Sequence, residues 1–191
     1  LRLLVMSATL EGSRVAALLG NAPVVTSRGR VYDVETRHEP VPVDADIGEA
    51  TAAAVRRTLP GTDGDLLVFL PGQREIRRAV GALSGIDAEV LQLYGALPAA
   101  EQRRALQPVA GRRRVVLSTD IAESSLTVPG VRVVVDAGWA RRPRFDPTSG
   151  MSRLHTVRVS RASADQRRGR AAREGEGVCV RLWPEHEALA G

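Results

Sequence analysis

The strongest constraint on the fold is a run with no polar side chain, Leu66-Leu-Val-Phe-Leu70, stopped by Pro71-Gly72. A strand with one face in water alternates polar and apolar residues, so a run that is apolar throughout has both faces covered. Val115-Val-Leu117 has the same character, as does Val131 to Val135 with Arg132 its only polar member. Val90-Leu-Gln-Leu93 and Val178-Cys-Val-Arg-Leu182 also read as strands. Helical segments stand between them: Ile47 to Leu59, Gln73 to Leu83, Pro98 to Leu106 and a short turn at Ile121-Ala-Glu123. Upstream, Leu3 to Met6, Val24 to Thr26 and Val31 to Thr36 read as strands, with a helix from Glu11 to Leu19 closed by Gly20-Asn21. Buried strands alternating with helices give an α/β fold, a mostly parallel sheet with helices on both faces. Arg141 to Val159 breaks the rhythm and reads as a β-hairpin insertion around the turn-rich Arg144-Phe-Asp-Pro-Thr-Ser-Gly-Met151. Pro184 and the acidic stretch after it are expected to lead out of the domain.

Composition narrows the partners. All 27 basic residues are arginine, and the formal charge of +5 favours a polyanion, most simply nucleic acid or nucleotide. Aromatics make up only 3%, so Val, Leu, Ile and Ala must supply most of the core. Cys179 is the only cysteine, which excludes an internal disulfide and is compatible with a reducing compartment; the expected location is cytoplasmic. His38, His155 and His186 lack metal-ligand spacing, so no metal site is expected. The apolar runs are far too short for a membrane span. The opening Leu1 to Met6 reads as a buried strand, and the chain as a fragment.

Residues 161 to 173 hold five arginines, Arg161, Arg167, Arg168, Arg170 and Arg173. On a helix advancing about 100° per residue, Gln166, Arg170 and Arg173 fall within roughly 60° of one another. Ser163 with Gln166 fits a capping box at the start of this helix, and Gly175 fits its end. Two guanidinium forks and an amide aimed in one direction suit a triphosphate. The plainer reading is a solvated charged face, with Gln166 only a capping partner.

Four stretches in fixed order carry a resemblance: Ser7-Ala-Thr9, Leu67-Val-Phe-Leu-Pro-Gly72, Ser118-Thr-Asp-Ile-Ala-Glu-Ser-Ser-Leu-Thr127 and Gln166 to Arg173. Together they resemble motifs III, IV, V and VI of the DEAH-box superfamily 2 RNA helicases. Tyr94-Gly-Ala-Leu-Pro98 and the Arg144 to Gly150 turn look most like the bacterial HrpB-type members. The resemblance implies a RecA-like sheet of the P-loop NTPase type. Residues 1–26 would be the last strand and helix of a first RecA-like domain, and residues 27–191 the second. The parent protein would be an ATP-dependent RNA helicase using ATP with Mg2+, gripping single-stranded RNA, with DNA also open. Its first RecA-like domain would supply the magnesium ligands. The phosphate-binding loop and acidic box are absent here, so the fragment alone is expected to be inactive.

By the same resemblance, Gln166, Arg170 and Arg173 face the γ-phosphate, the two arginines as fingers that can matter by ~10³–10⁵ in turnover. Thr119, Gly72, Tyr94 and Gly95 would follow the nucleic-acid backbone, and Ser7 and Thr9 would couple the two domains. The Arg141 to Val159 hairpin would act as a wedge at a duplex junction. Plainer readings stand beside these: a local hydroxyl bond for Thr119 and turn glycines at Gly72 and Gly95. Glu123 reads as ordering its turn and Asp136 as ending a strand, while Trp139, Trp183 and Phe145 read as packing residues. Three positions depart from the family pattern: Asp120 where Asn is usual, Arg168 where Ala is usual and Ala172 where Gly is usual. Arg168 falls among Ala164, Ala171 and Ala172 on the face toward the sheet, so it must reach solvent or find a carboxylate. Two other readings remain: a translocase that remodels RNA–protein complexes or acts on DNA, and a non-catalytic domain that binds nucleic acid or a partner protein.

Overall fold

The computed structural model describes residues 3, 5, 12–25, 32–109, 111–124, 126–146 and 150–190. The chain divides into two compact units, residues 1–30 and 31–191. In the first, helix α1 (Gly12–Leu18) is closed by Gly20 (φ 70°) and Asn21 (φ 60°), with the Ala22 N–H donating back to the Ala16 carbonyl at 3.2 Å. These are the residue types that adopt left-handed backbone at least cost, so the helix stops where the sequence places them. Val24 and Val25 form no strand; Leu3 and Val5 are irregular, and the rest of the Leu3–Met6 and Val24–Thr26 expectations lies outside the described residues.

The second unit is built on a six-stranded sheet in the order β1-β8-β5-β2-β4-β3, parallel at every pairing. The strands are β1 (Val34–His38), β2 (Asp65–Phe69), β3 (Glu89–Leu93), β4 (Arg114–Ser118), β5 (Val131–Asp136) and β8 (Gly177–Arg181). The crossovers include α2 (Ile47–Thr58), α3 (Gln73–Ala82), α4 (Ala99–Leu106) and α5 (Ile121–Ser124). Because successive strand residues point to opposite faces, the apolar runs fill two cores. Leu66, Val68, Val115 and Val133 pack with Val55 of α2 and Ile76 of α3. Leu67, Phe69, Val116 and Val134 pack on the other face with Ala105 of α4 and Ala122 of α5. Cys179 lies in that second core, where burial pushes its thiol pKa up to about 12.

A separate antiparallel pair, β6 (Trp139–Asp146) and β7 (Met151–Arg158), forms the expected hairpin. Helix α6 (Arg161–Arg168) follows and tightens into a 3₁₀ turn at Gly169–Ala172.

Three local expectations are corrected. The α6 N-cap is Ser160, whose hydroxyl accepts from the Ser163 N–H at 3.2 Å; the Ser163 hydroxyl is committed elsewhere. The helical run ends at Ala172, and Gly175 lies beyond it without a left-handed φ; its missing Cβ makes room for the Arg132 guanidinium. The segment after Pro184 folds back instead of leaving. Leu189 packs on a cluster of Ala140, Val159, Ala164 and Trp183, and the Arg161 N–H donates to the Ala190 carbonyl at 2.8 Å. Among the described residues no helix is long and apolar enough to cross a membrane.

Candidate functional site

The loops at the C-terminal ends of three adjacent strands open a cleft of about 780 Å³. Pro71-Gly72 follows β2, Tyr94-Gly95 follows β3 and Thr119-Asp120 follows β4; Arg141 and Leu154 of the hairpin complete the lining. A crevice outside the carboxyl ends of parallel strands is where open α/β sheets take ligands. All four residues expected along a nucleic-acid backbone, Gly72, Tyr94, Gly95 and Thr119, line this one cleft. Arg74, Arg77 and Arg78 add positive charge from the first turns of α3. Gly72 caps that helix without a side-chain hydrogen bond, leaving its first N–H groups open toward the cleft.

The glycines differ in why they are there. At Gly72 the backbone is extended (φ −167°), which any residue adopts, but a Cβ would stand 2.7 Å from the Arg141 guanidinium carbon. The position therefore admits an arginine. At Gly95 an added Cβ would meet nothing within 4 Å, so space does not require glycine. The Thr119 N–H donates to the Leu93 carbonyl at 3.2 Å, fixing its loop to the neighbouring strand. Asp120 accepts from Arg142 at 3.0 Å, which neutralises the carboxylate that stands where the family pattern has Asn.

The second group lies across α5. In a 3₁₀ turn residues three apart eclipse one another, so Arg170 and Arg173 project from the same side. Arg170 is buried and donates to the Leu126 carbonyl at 3.0 Å and to the Glu123 carbonyl. Exposed Arg173 donates to the Thr127 hydroxyl at 2.7 Å. Burial, and next the charge of Arg173, lower the pKa of Arg170; Glu123 opposes that shift. Both guanidinia donate to neutral oxygens, and neither forms an ion pair among the described residues. Gln166 is half-buried one turn earlier. Arg168 is exposed, one of the two outcomes expected for it.

The residue that sequence reasoning missed is Arg167, which is 0% exposed. Its guanidinium donates to Glu123 at 2.9 Å, Asp136 at 2.9 Å and the Trp139 carbonyl at 3.3 Å, and lies over the Phe69 ring at 4.8 Å. Burial opposes its charge, yet Asp136 and Glu123 outweigh that and raise its pKa. The available signal was a matching count: one helix carrying surplus arginine, and two lone carboxylates at the ends of apolar segments. Glu123 and Asp136 are thus structural partners, as the plainer reading held. Trp183 is buried and Trp139 packs on the first core, whereas Phe145 is 61% exposed, correcting its assignment to packing. Ser7 and Thr9 lie outside the described residues.

A parallel α/β sheet with a basic cleft at its strand ends and a neighbouring arginine helix defines a RecA-like domain. The model of the helicase conserved C-terminal domain matches residues 51–175, and the chain belongs to that family, in its DEAH-type branch. It is 46% identical over 192 residues to the ATP-dependent RNA helicase HrpB of Escherichia coli (strain K12), covering 98% of this chain and 24% of that protein. It is 40% identical over 198 residues to HrpA of the same organism, covering 100% and 15%. The crystal structure of the E. coli DExH-box NTPase HrpB superposes with a TM-score of 0.87 at 45% identity, over 97% of this chain and 24% of that one. The chain therefore spans about a quarter or less of these relatives.

Proposed function

We propose that this chain is the second motor domain of a longer DEAH-type ATP-dependent RNA helicase, with residues 1–26 belonging to the preceding domain. In support of that boundary, no described residue of the first unit is buried. The domain holds half of a single-stranded RNA track in the cleft of Gly72, Tyr94, Gly95 and Thr119. Arginines 74, 77 and 141 meet phosphates there without reading sequence. The hairpin, with Phe145, Met151 and Leu154 exposed, acts as the wedge at a duplex junction. The protein works in the cytoplasm.

The observation that carries the catalytic half is the charge of Arg170 and Arg173. Two guanidinia side by side that form no ion pair among the described residues fit a polyphosphate, whose terminal group would supply negative charge. Gln166, Arg170 and Arg173 would hold the γ-phosphate end of ATP. On this reading Mg2+ would be held by the first domain. ATP supplies the phosphoryl group and the free energy; the arginines neutralise charge that grows on its oxygens in the transition state.

The test is RNA-stimulated phosphate release by the parent helicase. Arg170→Ala and Arg173→Ala should each lower kcat by ~10³-fold or more. Affinity for a homopolymer RNA should hold within about twofold, since the track is separate. Loss of RNA affinity with kcat retained would refute the assignment.

A further inference from the structure

Arg167 touches neither proposed ligand, yet one guanidinium joins four elements. It bonds Glu123 on α5 and Asp136 at the end of β5, reaches the Trp139 carbonyl where the hairpin begins, and covers Phe69 at the end of β2. Three of the four lead to the cleft. Helix α5 starts right after Thr119-Asp120, β2 runs into Pro71-Gly72, and β6 carries Arg141 and Arg142 two and three residues beyond Trp139. On its own side, Arg167 stands three residues before Arg170 and six before Arg173. A second clip lies one turn earlier, where the Ser163 hydroxyl donates to the same Glu123 oxygen at 2.6 Å.

The contacts are also hard to slide. Asp136 is fully buried; one oxygen accepts from Arg167 and from the Gly138 N–H at 2.8 Å, and the other has no partner. Arg167 is the only side-chain cation paired with Asp136 among the described residues, so withdrawing it strands a buried charge. The same loop that faces RNA through Thr119 supplies the Glu123 and Leu126 carbonyls that aim Arg170. We propose that Arg167 is a positioning residue that transmits occupancy of the RNA cleft to the Arg170–Arg173 pair, with Ser163 as its auxiliary. The inference rests on the functional reading above and adds to it the part that makes hydrolysis depend on RNA.

The experiment uses the parent helicase, with poly(U) as the RNA probe and phosphate release as the signal. Arg167→Lys keeps the charge but loses the fork. The ratio of RNA-stimulated to basal rate should fall by ~10-fold, within the range of measured couplings between sites. Ser163→Ala removes one hydrogen bond without stranding a charge and should lower that ratio by about 2–5-fold, near the lower end of such couplings. A purely structural role would lower the melting temperature and both rates together, leaving the ratio intact. An unchanged ratio in Ser163→Ala and in any folded Arg167→Lys overturns the proposal; if Arg167→Lys does not fold, Ser163→Ala alone decides. Arg173→Ala run alongside separates the two claims. If it keeps turnover, the assignment of the arginine pair fails. If it loses turnover while Arg167→Lys keeps the ratio, only the coupling fails.

Discussion

Arginine is used in opposite ways at the start of β4 and in the 3₁₀ turn after α6. Arg114 is 0% exposed, and its guanidinium ends entirely on oxygens: two donors on one Asp65 carboxylate oxygen at 2.8 and 2.6 Å, then the carbonyls of Ala105, Gln107 and Pro129. Arg170 and Arg173 instead stand beside each other, donate to neutral oxygens and form no ion pair among the described residues, and the pKa of Arg170 is lowered. A buried charge that is fully paired stabilises only in the sense that breaking the pair is costly. Two adjacent like charges that form no ion pair among the described residues cost energy in the unliganded fold, and a ligand that brings negative charge relieves that cost. Partners, more than burial, thus separate structural arginines from functional ones; Arg167, buried and doubly paired, falls on the structural side and gains its role through its neighbours.

The comparison can be broken from its structural end first. Arg114→Ala leaves the Asp65 carboxylate without its partner and several carbonyls without donors. It should cost ~3–5 kcal/mol, read as a drop in the urea midpoint of the domain. A loss below about 1 kcal/mol would show that pairing is not what makes an arginine structural here. At the small end, Arg168→Ala removes an exposed side chain from the same helix and should change stability by no more than ~0.5 kcal/mol. A larger loss would mean that α6 depends on a surface contact which its burial pattern does not suggest.

The sheet was legible because β2, β4 and β5 carry runs that are apolar on both faces, with β2 and β5 each preceded by glycine. The hairpin was legible because its turn residues interrupt the helix–strand alternation. The cleft residues were named by the family resemblance, and the fold shows why they meet: Gly72, Tyr94-Gly95 and Thr119 each come just after a strand, and parallel strands bring such loops to one edge. What failed was long-range or phase-dependent. Ser160 and Ser163 are both plausible caps three residues apart, and spacing from Ala164, Ala171 and Ala172 pointed Arg168 toward the sheet, where Arg167 is the arginine that is buried. The carboxylates that hold Arg167 come from 44 and 31 residues away, a distance that no periodicity encodes. The fold-back after Pro184 likewise depends on Arg158, which pairs with Glu187 across 29 residues.

If Arg170 and Arg173, which form no ion pair among the described residues, await the γ-phosphate as proposed, a transition-state mimic reads that role out. The parent helicase, with Mg2+ and RNA, is titrated with ADP alone and with ADP plus fluoroaluminate, which imitates the transferring phosphoryl group. The wild type should bind the fluoroaluminate complex more tightly by at least ~10²-fold. Arg173→Ala should lose most of that preference while its affinity for ADP alone stays within about twofold, and Arg173→Lys should restore little of it. An Arg173→Ala protein that keeps the full preference would contradict the account.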